Sequence, residues 1–159
     1  MSGIRGRLAR IDDVARGVDR FATKIVTFTG ASGLGQAGTN VPIFTVTGEV
    51  LIVALSPSCT TTLTQAAGTA TVSLGTTGRT ALFIPATNSI AIGAGEFWIL
   101  AGGVGDAHNS GAALGSTQMN VVVTDDIIVA CATQDTNGGV LRFDVFWRPL
   151  SENGNLVPA

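Results

Sequence analysis

From Lys24 onward the apolar residues alternate with a period of two, and β-branched side chains dominate them. That pattern fits strands and leaves no stretch with the three-to-four spacing of a core-facing helix. Strands are expected at 24–29 (KIVTFT), 41–48 (VPIFTVTG), 49–55 (EVLIVAL), 59–64 (CTTTLT) and 69–75 (TATVSLG). Further ones follow at 80–84 (TALFI), 89–93 (SIAIG), 96–101 (EFWILA), 118–123 (QMNVVV), 126–133 (DIIVACAT) and 139–147 (GVLRFDVFW). Turn formers separate them: Gly30 to Asn40, Ser56-Pro57, Gly75 to Gly78, Pro85 to Asn88 and Asn137-Gly138-Gly139. The Asn-Gly step within Asp135 to Gly139 predicts a hairpin. Short strands at near-regular spacing predict an all-β chain, an antiparallel β-sandwich or jelly-roll-like domain over residues 25–159.

Charge sets the first residues apart. Six of the nine basic side chains (Arg5, Arg7, Arg10, Arg16, Arg20 and Lys24) fall in residues 1–24, against three acids. The remainder holds three arginines and eight acids. Within this basic leader Ile4, Leu8, Ile11, Ala15, Val18 and Ala22 recur every three or four residues, with Phe21 widening the stripe. The spacing predicts an amphipathic helix with a heptad-like seam, in a short helical or extended arm over 1–24. Burying five or six such side chains yields about 1.5–3 kcal/mol each. Ordering the segment costs about 1–2 kcal/mol per residue. The arm therefore needs a partner surface: its own domain, copies of itself, or a foreign protein.

Alternation also assigns faces. In 139–147, Val140, Arg142, Asp144 and Phe146 share one side, while Leu141, Phe143, Val145 and Trp147 share the other and face the core. The strands at 96–101, 121–123 and 127–132 are apolar on both sides. Sheet surface of that kind is expected to be covered by a neighbouring subunit, and the chain is read as an oligomer.

Few residues here do chemistry. Only 13% are charged against 45% hydrophobic, and there is one histidine. The motif Gly33-Leu34-Gly35-Gln36-Ala37-Gly38 matches a dinucleotide fingerprint, but a strand follows it where a phosphate-binding helix is needed. His108 with Asp106 and Ser110 forms a triad only on paper, and no metal set accompanies it. Asp125 and Asp126 read as a turn. Cys59 and Cys131 read as two buried thiols. The opening MSGIRGRLARIDD carries charges where a signal peptide needs its apolar stretch, and the longest apolar run, Val50–Leu55, is too short to cross a bilayer. A net charge of −2 argues against bulk binding of nucleic acid. No enzyme, cofactor, metal, membrane or nucleic-acid role is expected.

Thr47 to Leu55, Ala70 to Thr76, Ala94 to Ile99, Phe146 to Ser151 and Asn153 to Leu156 resemble segments of small structural proteins of tailed-bacteriophage virions. The likeness spans residues 25–156 at the level of pattern. It implies a head decoration (cement) protein or another virion component, typically a homotrimer of sandwich or jelly-roll domains, made in the host cytoplasm and carried on the outer capsid surface. The implied partners are further copies of the chain and the major capsid protein. Arg5, Arg7, Arg10, Arg16 and Arg20 would then be the capsid contacts, and Ile4, Leu8, Ile11, Val18 and Phe21 the seam. The alternative is a tail-fibre or head-fibre domain that binds a host receptor.

Overall fold

The computed structural model describes residues 18–159. They form two antiparallel sheets stacked face to face. The six-stranded sheet contains β1 (Arg20–Thr27), β3 (Val50–Gln65), β6 (Phe97–Ala101), β7 (Val104–His108), β8 (Met119–Val123) and β10 (Thr136–Pro149). Its order is β1-β10-β3-β6-β7, and β8 joins β3 beside β6. The five-stranded sheet, in order β11-β2-β9-β4-β5, contains β2 (Asn40–Thr47), β4 (Thr71–Thr76), β5 (Ile84–Asn88), β9 (Ile127–Ala132) and β11 (Asn155–Pro158).

Without the β6–β7 hairpin and β11, the sheets read β1-β10-β3-β8 and β2-β9-β4-β5. The chain changes sheet between β1 and β2, β2 and β3, β3 and β4, β5 and β6, β8 and β9, β9 and β10, and β10 and β11. This is jelly-roll connectivity, and the expected antiparallel β-sandwich is the observed fold. The core lies between the sheets. Val50, Ile52, Leu55, Leu141, Phe143, Val145 and Trp98 face Val41, Ile43, Phe44, Val72, Leu74 and Val129. The face assignment of β10 holds: Leu141, Phe143, Val145 and Trp147 are buried, and Arg142 and Phe146 are exposed.

Several boundaries differ from expectation, each for a local reason. The strands expected at 49–55 and 59–64 are one strand, β3, running through Ser56-Pro57. Pro57 pairs with Phe143 on one flank; on the other it falls between Ala54, the last partner of β8, and Ser58, the partner of β6. A residue without an N–H is tolerated in such a gap. Pro85 to Asn88 is not a turn but most of β5, an edge strand where proline costs no shared ladder bond. The segment 89–93 is not a strand. Ser89–Ala91 is a 3-10 turn started by Asn88, whose side chain accepts from the Ile90 N–H. The Asn-Gly hairpin does not form, because β9 and β10 lie in different sheets and Asn137-Gly138-Gly139 is the bulged start of β10.

The glycine-rich stretch after β6 is a hairpin instead of a loop. Gly102 and Gly103, at φ 57° and 86°, turn the chain so that Ala101 pairs with Val104 and Phe97 with His108. The helix expected through Ala22 is also overturned at its end. Arg20 to Ala22 already belong to β1, paired with Trp147, Phe146 and Val145, so the 24/25 boundary falls inside a strand. Ala22 fits a period of 3.6 and a period of two equally well, and the cross-strand partners decide between them.

Candidate interaction surface

The outward residues of the six-stranded sheet form rows across it, set by the strand register. Phe21, Phe146, Ala54 and Met119 stand opposite one another on β1, β10, β3 and β8. The Phe21 and Phe146 rings pack at 5.2 Å between centroids. Leu51 and Val122 continue the apolar surface in the next row, opposite Arg148. Phe21 is 56% exposed, Val122 54%, Phe146 46% and Met119 38%. These side chains form a contiguous exposed apolar band.

Carboxylates border the band on both sides. Asp144 accepts from the Thr23 hydroxyl at 2.7 Å and pairs with Arg142 at 2.9 Å. Asp19 pairs with Arg148, whose guanidinium it holds above its usual pKa range through a hydrogen bond and charge. The other sheet's outer face differs. Its Ile128 is buried, and the loop at Arg79-Thr80 lies over the neighbouring Gly75, with the Ser73 hydroxyl donating to the Thr80 carbonyl at 3.0 Å. The chain's own loop covers this sheet locally at Ser73 and Gly75, whereas the band on the other sheet is exposed.

Of the expected contact residues, Arg5, Arg7, Arg10 and Arg16, with Ile4, Leu8 and Ile11 of the seam, lie outside the described residues. Arg20 does not belong to an arm: its guanidinium sits 5.1 Å from the centre of the Trp147 ring, at the start of β1. Val18 is exposed just before β1, and Phe21 is a strand residue of the band. Met119 and Leu51 were not singled out in the sequence. Their outward orientation follows only from register with β10, which a single strand does not reveal.

The remaining candidates resolve as structure. Gly35, at φ 115°, passes so close to β10 that an added Cβ would meet the Thr136 carbonyl at 2.1 Å. Thr136 N–H donates to the Gly35 carbonyl at 2.9 Å, and β2 follows where a nucleotide site would need a helix. The glycine motif is thus a tight loop laid against β10. His108 Nε2 lies 3.0 Å from Asp106 Oδ2, both half-exposed on β7. Ser110 makes no hydrogen bond to that pair and shares with His108 only a shallow depression lined also by Ile99 and Ala113. Asp125 and Asp126 lie in the turn between β8 and β9, where Asp126 Oδ1 accepts from the Val46 N–H at 2.8 Å. Among the described residues no group of acidic, histidine and cysteine side chains could hold a metal ion, and no helix is long and apolar enough to cross a membrane.

Cys59 and Cys131 are free and buried, as expected. Burial pushes both thiols up, that of Cys131 from 9.0 to about 11. A raised folded pKa means that the stabilisation is complete below pH 9 and is lost as pH rises towards 11. Alkylating reagent at pH 7 is expected to leave both thiols intact in the folded protein and to modify both after unfolding, as counted by mass spectrometry. Modification of the folded chain would contradict the burial.

Comparison with family models, curated proteins and solved structures gave no match.

Proposed function

We propose that the chain is a non-enzymatic structural protein of a tailed-bacteriophage virion, a capsid decoration (cement) protein that binds the head shell as a homotrimer. The observation that carries this reading is the open apolar band Phe21–Phe146–Ala54–Met119 on an otherwise well-packed sandwich. A surface so composed is hidden by another protein in the working state. The sequence likeness of residues 25–156 to small virion proteins names the setting. The basic side chains Arg5, Arg7, Arg10 and Arg16 supply contacts to carboxylates of the shell, which guanidinium groups pair with in bidentate fashion.

The test uses the full chain and a chain lacking residues 1–17, a cut that leaves β1 whole. Sedimentation of the full chain is expected to give a trimer, and the full chain is expected to bind undecorated heads and raise their resistance to heat. The shortened chain keeps its folded circular-dichroism spectrum and loses head binding. A full chain that remains monomeric and ignores heads overturns the proposal. Specific binding to host cells or glycans in place of heads would support the fibre reading.

A further inference from the structure

We infer that the outer face of the six-stranded sheet is the contact between copies of this chain: it packs on the same face of a second copy, with the row Phe21–Phe146–Ala54–Met119 beside the axis of the assembly. This deepens the assembly reading above and rests on it for the existence of an oligomer.

The two outer faces of the sandwich differ in kind. Among the described residues, Phe21, Ile25, Met119, Val122 and Phe146 stand exposed on the six-stranded sheet. The five-stranded sheet shows one large exposed apolar side chain, Val157, on its edge strand β11. A strand that fills a core with one side normally turns polar residues to water with the other. β2 does so with Asn40, Thr45 and Thr47. β1, β10 and β8 depart from that rule in one continuous row, so a single face is built for contact.

The area suits a second protein chain. Phe21 at 56% and Phe146 at 46% expose between them one whole phenylalanine, ~200 Å². Ile25, Val122 and Met119, with the half-buried Leu51 and Ala54, bring the apolar total to ~400–500 Å². A standard interface takes ~800 Å² from each partner, a little over half of it apolar, or ~450 Å². One such face per chain is therefore enough for a stable contact.

Charge selects a copy over a charged partner. The ionic side chains bordering the row are satisfied inside the chain: Arg142 pairs with Asp144 at 2.9 Å, and Arg148 pairs with Asp19. Each pair is neutral as a whole, so the border neither repels a copy of itself nor draws a strongly charged surface. What is left to cover is apolar and uncharged, and the same face on a second copy matches it in both respects. Packing about a symmetry axis also uses the face up within the assembly and leaves no open end.

Sedimentation equilibrium of the full chain measures the contact without any capsid. Phe146→Glu and Val122→Glu are each expected to weaken association ~100-fold or more, because the contact then buries a lone carboxylate. Thr45→Glu, exposed on β2 of the other sheet, is expected to associate as the unaltered chain does. A second measurement does not depend on charge. Ala54→Cys, in the middle of the row, is treated with a short bismaleimide, and a linked pair of chains is expected, the native thiols being buried. Thr45→Cys is expected to give no linked pair. Full association of the charge variants overturns the inference, and so does an oligomer in which Ala54→Cys gives no linked pair. A chain lacking residues 1–17 retains the whole face and is expected to associate as the full chain does; if it turns monomeric, the N-terminal segment makes the contact and the inference fails. An unaltered chain that is monomeric defeats this inference and the assembly reading together. An oligomer indifferent to the face defeats this inference alone, and head binding is scored separately.

Discussion

Gln118→Ala is expected to cost about 3–5 kcal/mol of stability, read from urea unfolding followed by tryptophan fluorescence. The side chain is fully buried between β3, β6 and the segment leading into β8. Its Oε1 accepts from the Leu100 N–H at 2.8 Å and the Gly115 N–H at 3.1 Å. Its Nε2 donates to the Leu55 carbonyl at 3.2 Å and the Trp98 carbonyl at 3.4 Å. One amide thus serves four backbone groups where β6 parts from the continuous ladder of β3. Truncation leaves two N–H groups in a dry site, each costing about 1–3 kcal/mol, and opens a cavity as well. Gln118→Glu keeps the acceptor role but sets a carboxylate against the Leu55 and Trp98 carbonyls, or must stay protonated to return one of the two donated bonds, so it is expected to be strongly destabilising too. A loss below about 1 kcal/mol for Gln118→Ala would mean that water replaces the amide.

The alternating strands made the fold class legible, and the residues that hide from it are instructive. β7 carries Gly105 and Ala107 on its inward side, so its period of two has no bulky apolar residue to announce it. Gly105 is small because a Cβ there would strike Thr87 Oγ1 at 1.8 Å. β5 begins beside a proline and contains Asn88, two residues that signal a turn unless the strand is known to be an edge. Gln118 looks like any polar residue at a strand end; only the meeting of three separate segments shows its role. The open band was half legible. The two-sided apolar character of 96–101 and 121–123 pointed to covered sheet, but the row through Phe21 and Met119 depends on register between strands distant in sequence.

Trp98→Ala is expected to cost about 3–5 kcal/mol, and Trp98→Phe clearly less. Trp98 is fully buried on β6, and its indole N–H donates to Thr87 Oγ1 on β5 at 2.9 Å, joining the two sheets. Alanine removes the ring and the bond together. Phenylalanine fills most of the space, and the Thr87 hydroxyl still donates to the Pro85 carbonyl at 3.0 Å, so no donor is stranded on that side. The bond itself is isolated by a double-mutant cycle with Thr87→Val, for which a coupling of about 0.5–1.5 kcal/mol is expected. Absence of coupling would mean that the contact holds the β6–β7 hairpin by shape alone. Trp98 faces the core while the Phe21–Phe146 row faces outward on other strands, so Trp98→Phe should weaken folding and leave the proposed self-association unchanged. If association falls along with stability in that variant, the band does not act as an independent surface, and the contact between copies has to be sought at the hairpin.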